Sequence, residues 1–485
     1  MIIMSFPIDD FTSMLLRGIM QFFTSITSSF TRMFGRKPEN PLLPPEVVAA
    51  MAKNPPVNRL LASPIPRGVF FGARGNQYVV KSEEMDGHVL VIGGTGSGKS
   101  SCVAIPTLRN WQGSIFAIDI KGELYENTKQ YRQNIKLFDP ADKNSPYRYD
   151  PYVFLNKNPN HAQQARAIAH AILPLPHDTR EPFWIESAQQ LLTGAILHFH
   201  YEKKTFIETL KKIQSHSSKD LIKMVAESPD NTAQYFATTL VNADNKLISG
   251  ISAEISKAIL TLITDEDIVC ALTPEEGKET ISPADLEDGN DIYIKIPIDL
   301  IDQWKPLLTL MINQFITFFK RRSDSPDNRA ILFMLDEFPS LGKIPAITDT
   351  LPIIRSKKVT VCLIIQSLAQ LKMIYGHDTQ EVIADTCAFK AILGATDANT
   401  QEYFSKLVGT YEKVRQSHSR NYDPYLGAPT GHGTSTSQDY EKRIIKPEEF
   451  ATLQKELILL YPLPHNFCRV QKQPYYLTML DIRKT

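Results

Sequence analysis

Apolar residues fall at two different spacings along this chain, and the change between them marks its organisation. Short apolar runs bounded by glycine, proline or charge occupy 68–73, 77–81, 88–92, 113–119 and 134–138, and each predicts a strand. Helical spacing after Lys99 and over 123–131 fills the gaps, so strand and helix alternate as in a parallel sheet flanked by helices. From about Asn160 the period becomes helical almost throughout, over 161–173, 181–201, 204–215, 218–227, 231–244 and 247–264. Strand character returns at 291–297, 330–335, 359–365 and 388–393, with a long helix expected over 302–322. Strand-bearing stretches therefore flank the helical block. This predicts an α/β domain in two parts, 67–159 and 266–485, with an all-α domain inserted over 160–265.

Three further segments stand apart. Phe11, Leu15, Ile19, Phe22, Ile26, Phe30 and Met33 recur every three to four residues among Ser, Thr, Gln and Arg, which predicts an amphipathic helix within 1–37. Such a helix packs on its own protein, lies on a membrane surface or docks on a partner. The segment 38–66, with prolines at 41, 44, 45, 55 and 56, reads as an extended connector. The Gly-, Ser- and Thr-rich stretch 417–438 reads as a mobile loop.

Length and charge narrow the class. A chain of 485 residues holds more than one packed unit, and 53 basic against 53 acidic residues leave no global charge for coating nucleic acid. The helical block is also near neutral, with eight lysines, no arginine and nine acids over 181–262. Any contact with nucleic acid is therefore local. The five cysteines lack C-x-x-C spacing and read as small core residues of a reducing compartment. No run approaches eighteen consecutive apolar residues, so no conventional membrane span is expected.

The chemistry begins at the third strand. It runs into Gly93, Gly94, Thr95, Gly96, Ser97, Gly98, Lys99, Ser100 and Ser101, a complete G-x-x-x-x-G-K-S phosphate loop. Glycines let the backbone curl its N–H groups toward a β-phosphate, Lys99 neutralises β/γ oxygens and Ser100 can ligate Mg²⁺. A second strand, 331–335, delivers Asp336 and Glu337, one carboxylate for the metal and one to polarise water. Gln366 closes a third strand, where an amide can contact a γ-phosphate or simply cap the strand. Asp119, Lys121 and Glu123 follow a fourth strand, as the floor of the nucleotide site or as a structural turn. Arg355 is by position either an arginine finger or a solvated basic turn. The absence of an N-K-x-D string argues against guanine recognition.

Together these segments resemble the type IV secretion coupling proteins of the TraG/TraD family, over roughly 67–475. The string Leu335-Asp-Glu-Phe-Pro-Ser-Leu-Gly342 is the most specific carrier. The phosphate loop, Asp119 to Glu123, Arg355, Ile365 to Ser367 and Lys442 to Glu449 support it. The resemblance implies a RecA-like P-loop ATPase domain with a mostly parallel sheet, an all-α insertion and hexameric assembly. It implies ATP and Mg²⁺ as ligands, with Lys99, Ser100 and Asp336 binding them and Glu337 activating water. Gln366 would sense the γ-phosphate and Arg355 would act on the adjacent subunit. Implied partners are single-stranded DNA with a relaxase, protein effectors, other secretion ATPases and inner-membrane channel components. The implied location is the cytoplasmic face of the bacterial inner membrane. Family members open with two transmembrane helices, whereas this chain shows only the amphipathic segment, so peripheral or partner-supplied anchoring is expected. A cytosolic DNA translocase or packaging ATPase of the same lineage is the alternative.

Overall fold

The computed structural model describes residue 53 and residues 55–157, 160–175, 182–422, 429–463 and 466–477, with backbone alone over 412–440. The expected amphipathic helix and most of the connector lie outside the described residues. Sixteen strands occur among them: β1 (Ala62–Ser63), β2 (Val69–Arg74), β3 (Gln77–Lys81), β4 (Val89–Ile92), β5 (Ser114–Asp119), β6 (Ile135–Phe138), β7 (Tyr147–Arg148), β8 (Glu279–Thr280), β9 (Asp291–Lys295), β10 (Ile331–Leu335), β11 (Val359–Ile365), β12 (Phe389–Ile392), β13 (Thr410–Tyr422), β14 (Pro429–Arg443), β15 (Glu456–Leu460) and β16 (Phe467–Gln471).

Twelve strands form one sheet in the order β1-β3-β2-β16-β15-β12-β4-β11-β10-β5-β9-β6. The seven from β12 to β6 are parallel. The other five extend the sheet antiparallel. That extension departs from the parallel expectation, and β15 and β16 are strands the apolar pattern left unread. Two of the five antiparallel pairings, β2–β3 and β15–β16, join strands consecutive in the chain, and antiparallel neighbours need no crossover helix.

The parallel strands are buried on both faces, so their sequences read as unbroken apolar runs and not as alternation. Alternate residues still go to different layers. Leu90 and Ile92 of β4, Ile331, Phe333 and Leu335 of β10 and Val361, Leu363 and Ile365 of β11 enter one core. Val89, Val91, Leu332, Met334, Cys362 and Ile364 enter the other, beneath Val103, Ile105, Leu108 and Trp111 of the helix that leaves the phosphate loop. The first core also takes the long helix Ile301–Phe318 and the helices between β7 and β8.

Between β7 and β8 every described element is helical: Val153–Lys157, His161–Ile172, Pro182–Tyr201, Phe206–Ser215, Ser218–Ala226, Asn231–Ala237, Asn245–Thr264 and Glu266–Leu272. Caps start them where the sequence places Ser, Thr or Asp. Thr205 and Glu208 form a capping box, and Asp244 Oδ1 accepts from Leu247 N at 2.7 Å. The helix expected over 231–244 ends at Ala237, because Thr238, Thr239 and Val241 carry β-branched side chains and Asp244 caps the next helix. Asn245–Thr264 is long and apolar enough to cross a membrane, with mean hydropathy 1.4. Ile251, Ile255, Ile259 and Leu262 along one stripe of it are buried in the protein core.

Of the stretch expected as a loop over 417–438, residues 417–422 and 429–438 belong instead to two paired strands, β13 and β14, a separate two-stranded sheet, and 423–428 lie outside the described residues. Gly- and Ser-rich composition disfavours strands, yet backbone pairing joins these two. The cysteines are free, and all but Cys270 are buried.

Candidate functional site

Parallel register sets the site. Ile92 of β4 pairs with Ile365 of β11 and Ile392 of β12, while Leu335 of β10 pairs with Leu363 of β11 and Ile118 of β5. The segments leaving β4, β11, β10 and β5 therefore emerge at one sheet edge, where ligands bind in open α/β sheets. Those segments are the phosphate loop, Gln366, Asp336 with Glu337, and Asp119 to Glu123.

The loop is shaped by its glycines at two points. A Cβ on Gly93 would stand 2.2 Å from Ser97 Oγ. Gly98 has φ +95°, a left-handed backbone that spares only glycine, and it opens a π-helical first turn over Lys99–Ala104. Among the loop N–H groups, Gly93 donates to Ile365 O at 3.2 Å and Ser97 donates to Gly94 O at 3.2 Å. Lys99 Nζ donates to the carbonyls of Gly93 at 2.6 Å and Gly94 at 3.3 Å. Burial lowers the Lys99 pKa, while the charges of Glu337 and Asp336 work against that. Both carboxylates thus act on the lysine across the intervening strand. Thr95 and Gly96 are exposed at the loop tip.

Asp336 and Glu337 sit side by side in different electrostatic environments. Asp336 is buried, and burial followed by the adjacent Glu337 charge pushes it up to about 6. Burial also raises Glu337, but hydrogen bonds and charge from Lys121, helped by Gln366, outweigh it and leave the carboxyl below its ordinary value. Lys121 Nζ lies 3.0 Å from Glu337 Oε1 and Gln366 Nε2 lies 3.3 Å from Oε2. Glu337 N donates to Asp336 Oδ1 at 3.1 Å. Glu337 also has φ +47°, a left-handed conformation that costs a side chain of this size energy.

The Asp336 carboxylate with the Ser100 hydroxyl is an all-oxygen set suited to a hard divalent cation. Among the described residues no group of three or more His, Cys, Asp and Glu side chains could hold a metal. A cation here would need phosphate oxygens as further ligands, as Mg²⁺ does beside nucleotides. The donors present therefore fit Mg²⁺.

Two expected residues lie differently. Asp119 is buried with Oδ2 accepting from Tyr125 N at 2.8 Å, and its Oδ1 has no partner. It serves the strand-to-helix turn, while Lys121 two residues on meets the acidic pair. Arg355 is exposed in the turn before β11, at the end of that strand away from Gln366. Seven residues of strand span about 23 Å, so the structure does not bring Arg355 to the phosphate loop of its own chain.

Sequence reading missed Lys472. It stands alone after β16, and its Nζ donates to Ser97 O at 3.1 Å. No motif marks it. A cavity of about 960 Å³ lies elsewhere, lined by Gln163, Arg166, His170 and Tyr235 of the helical block and by Asn313 and Lys343.

The chain is similar to known proteins over most of its length. Protein VirD4 of Agrobacterium fabrum (strain C58 / ATCC 33970) is 26% identical over 405 residues, covering 80% of this chain and 58% of that protein. The conjugal transfer protein TraG of Escherichia coli is 24% identical over 399 residues, covering 75% and 61%. The chain thus spans about three-fifths of the length of the curated relatives it matches. The bacterial conjugative coupling protein TrwBdeltaN70 in its unbound form has the same fold, with TM-score 0.66 at 17% identity, covering 91% of this chain and 94% of that one. The plasmid coupling protein TrwB in complex with ADP and Mg²⁺ matches with TM-score 0.64 at 15% identity, covering 90% and 94%. The fold is accordingly that of a RecA-like P-loop protein. Residues 51–482 match the family model for type IV secretory system conjugative DNA transfer, and the chain belongs to that family.

Proposed function

We propose that this protein is an ATP-hydrolysing coupling protein that recruits DNA–relaxase complexes or protein effectors and delivers them to a type IV secretion or conjugation channel. The observation that carries this reading is the convergence of the phosphate loop, Asp336, Glu337 and Gln366 on one sheet edge. Family membership supports the conjugative role over a cytosolic translocase or packaging ATPase. The TrwB complex with ADP and Mg²⁺ supports nucleotide and metal as ligands of the same fold.

In this reading the glycine loop wraps the β-phosphate and Lys99 neutralises the β/γ oxygens. Ser100 and Asp336 hold Mg²⁺, which when bound offsets phosphate charge. Glu337, kept ionised by Lys121, orients the attacking water and takes up its proton. Gln366, already hydrogen-bonded to Glu337, reads the γ-phosphate. Arg355 acts in trans within a homohexamer, which its distance from its own phosphate loop supports. The chain works at the cytoplasmic face of the inner membrane, with channel components and other secretion ATPases among its partners. The helical block of 160–265 forms the inserted domain and meets cargo.

ATPase assays with and without single-stranded DNA, across enzyme concentration, test this reading. Turnover per subunit should rise with concentration in the wild type and nearly vanish in Lys99→Ala and Arg355→Ala. Concentration-independent turnover that ignores Arg355 would refute the inter-subunit mechanism.

A further inference from the structure

The segment after β16 grips the phosphate loop from behind. Lys472 Nζ donates to three carbonyl oxygens: Ser97 at 3.1 Å, Leu393 at 2.8 Å and Leu453 at 3.1 Å. An ammonium has three donors, so this group is fully used on backbone. Three residues on, Tyr475 N donates to Ser101 O at 2.9 Å. One short segment therefore bonds the loop on both sides of Lys99 and Ser100. Arg109, on the helix leaving the loop, secures the far end. Its guanidinium stands 4.2 Å from the Tyr131 ring centre and 4.7 Å from that of Tyr475, and its Nε donates to Asn127 O at 2.9 Å.

The bond to Ser97 acts directly on the loop. The Ser97 carbonyl and the Gly98 N–H belong to one peptide unit, which is planar, so anchoring the oxygen fixes the direction of the N–H. Gly98 is the left-handed residue whose freedom would otherwise let that plane swing. A cation on the carbonyl also polarises the peptide and strengthens its N–H as a donor. Burial lowers the Lys472 pKa, and no carboxylate pairs with it among the described residues. A half-buried charge without a counter-ion beside a loop built for anions favours an anion there.

We propose that Lys472 is a positioning residue of the nucleotide site, holding the peptide between Ser97 and Gly98 in the orientation that binds the phosphates of a nucleoside di- or triphosphate. The carboxy-terminal segment, and not the loop alone, then sets nucleotide affinity. This rests on the reading of the loop as a nucleotide site.

The test titrates the full chain with a fluorescent ADP analogue and Mg²⁺, and measures ATPase kinetics in parallel. Lys472→Met should weaken binding about tenfold, with KM carrying the larger share of the loss in kcat/KM, and Lys472→Arg should recover part of it. A merely structural lysine would lower the melting temperature and leave the dissociation constant of the folded protein unchanged. Lys472→Met binding within about twofold of wild type, while Lys99→Ala loses binding, would overturn the inference and leave the nucleotide site standing. Wild-type protein that binds no nucleotide would overturn both. Should Lys472→Met fail to fold, Tyr475→Ala loosens the same segment from its other end, and an unchanged dissociation constant there is equally fatal.

Discussion

Lys121 Nζ sits 3.0 Å from Glu337 Oε1, joining the end of β5 to the end of β10 through the carboxylate assigned to water activation. The lysine is 41% exposed, so the pair is worth roughly 1 kcal/mol, about fivefold in rate if it only orients Glu337. Lys121→Ala should reduce kcat by about that factor. It should also shift the acid limb of the kcat–pH profile upward, because Lys121 is what holds the Glu337 carboxyl below its ordinary value. An unmoved acid limb would show that the pair does not govern the ionisation of Glu337.

The strain at Glu337 yields a separate expectation. A left-handed backbone at a glutamate costs on the order of 1 kcal/mol, and asparagine tolerates that conformation far better. Glu337→Asn should therefore unfold at a higher temperature than Glu337→Ala, which loses the same Lys121 and Gln366 contacts without gaining a residue that tolerates the conformation, while hydrolysis falls roughly 10²- to 10⁴-fold in both. Calorimetry beside an ATPase assay measures both. Glu337→Asn no more stable than Glu337→Ala would mean the conformation is not strained.

His88 contributes its own pH dependence to stability. It is fully buried, Val361 N donates to its Nδ1 at 3.1 Å, and its Nε2 lies 2.7 Å from Leu351 O, which assigns the neutral tautomer with the proton on Nε2. Burial pushes its pKa down to about 4 from 6.5, with Lys81 and Arg355 adding to the shift. Between those values the unfolded chain takes up the proton first, so stability falls as pH drops from about 6.5 to about 4 and levels off below. The loss from this group is about 3 kcal/mol. Urea denaturation across that window should show a steeper decline in wild type than in His88→Gln, and parallel declines would contradict the assignment.

Arg355 lies at the end of β11 opposite its own phosphate loop, so its role can be tested by mixing. Arg355→Ala and Glu337→Gln should each be nearly inactive alone. In mixed assemblies a Glu337→Gln subunit offers its arginine to the intact glutamate of an Arg355→Ala neighbour. Partial recovery of ATPase activity, up to about a quarter of wild type for equal random mixing, is expected. No recovery at any ratio would count against trans action.

The parts of the site that could be read from sequence are those where chemistry follows directly on an apolar strand. Gly93 to Ser100 after β4, Asp336 and Glu337 after β10 and Gln366 after β11 share an edge because parallel register leaves no alternative. Lys121 sat in a visible motif, but its contact with Glu337 is set by the order of β10 and β5, which no local pattern encodes. Lys472 had no signal at all, since a single lysine meets Ser97 only after β15 and β16 have folded back beside β12. The paired strands β13 and β14 were hidden because their glycines and serines imitate a loop. They are held by backbone pairing, which composition does not report.

The twelve-stranded sheet finishes at β1, two residues long, and at β6, four residues long. Such stubs give a neighbouring molecule almost no backbone to zip onto. Ring formation would thus have to be written in side chains and loops, where single substitutions can tune or abolish it without disturbing the platform underneath.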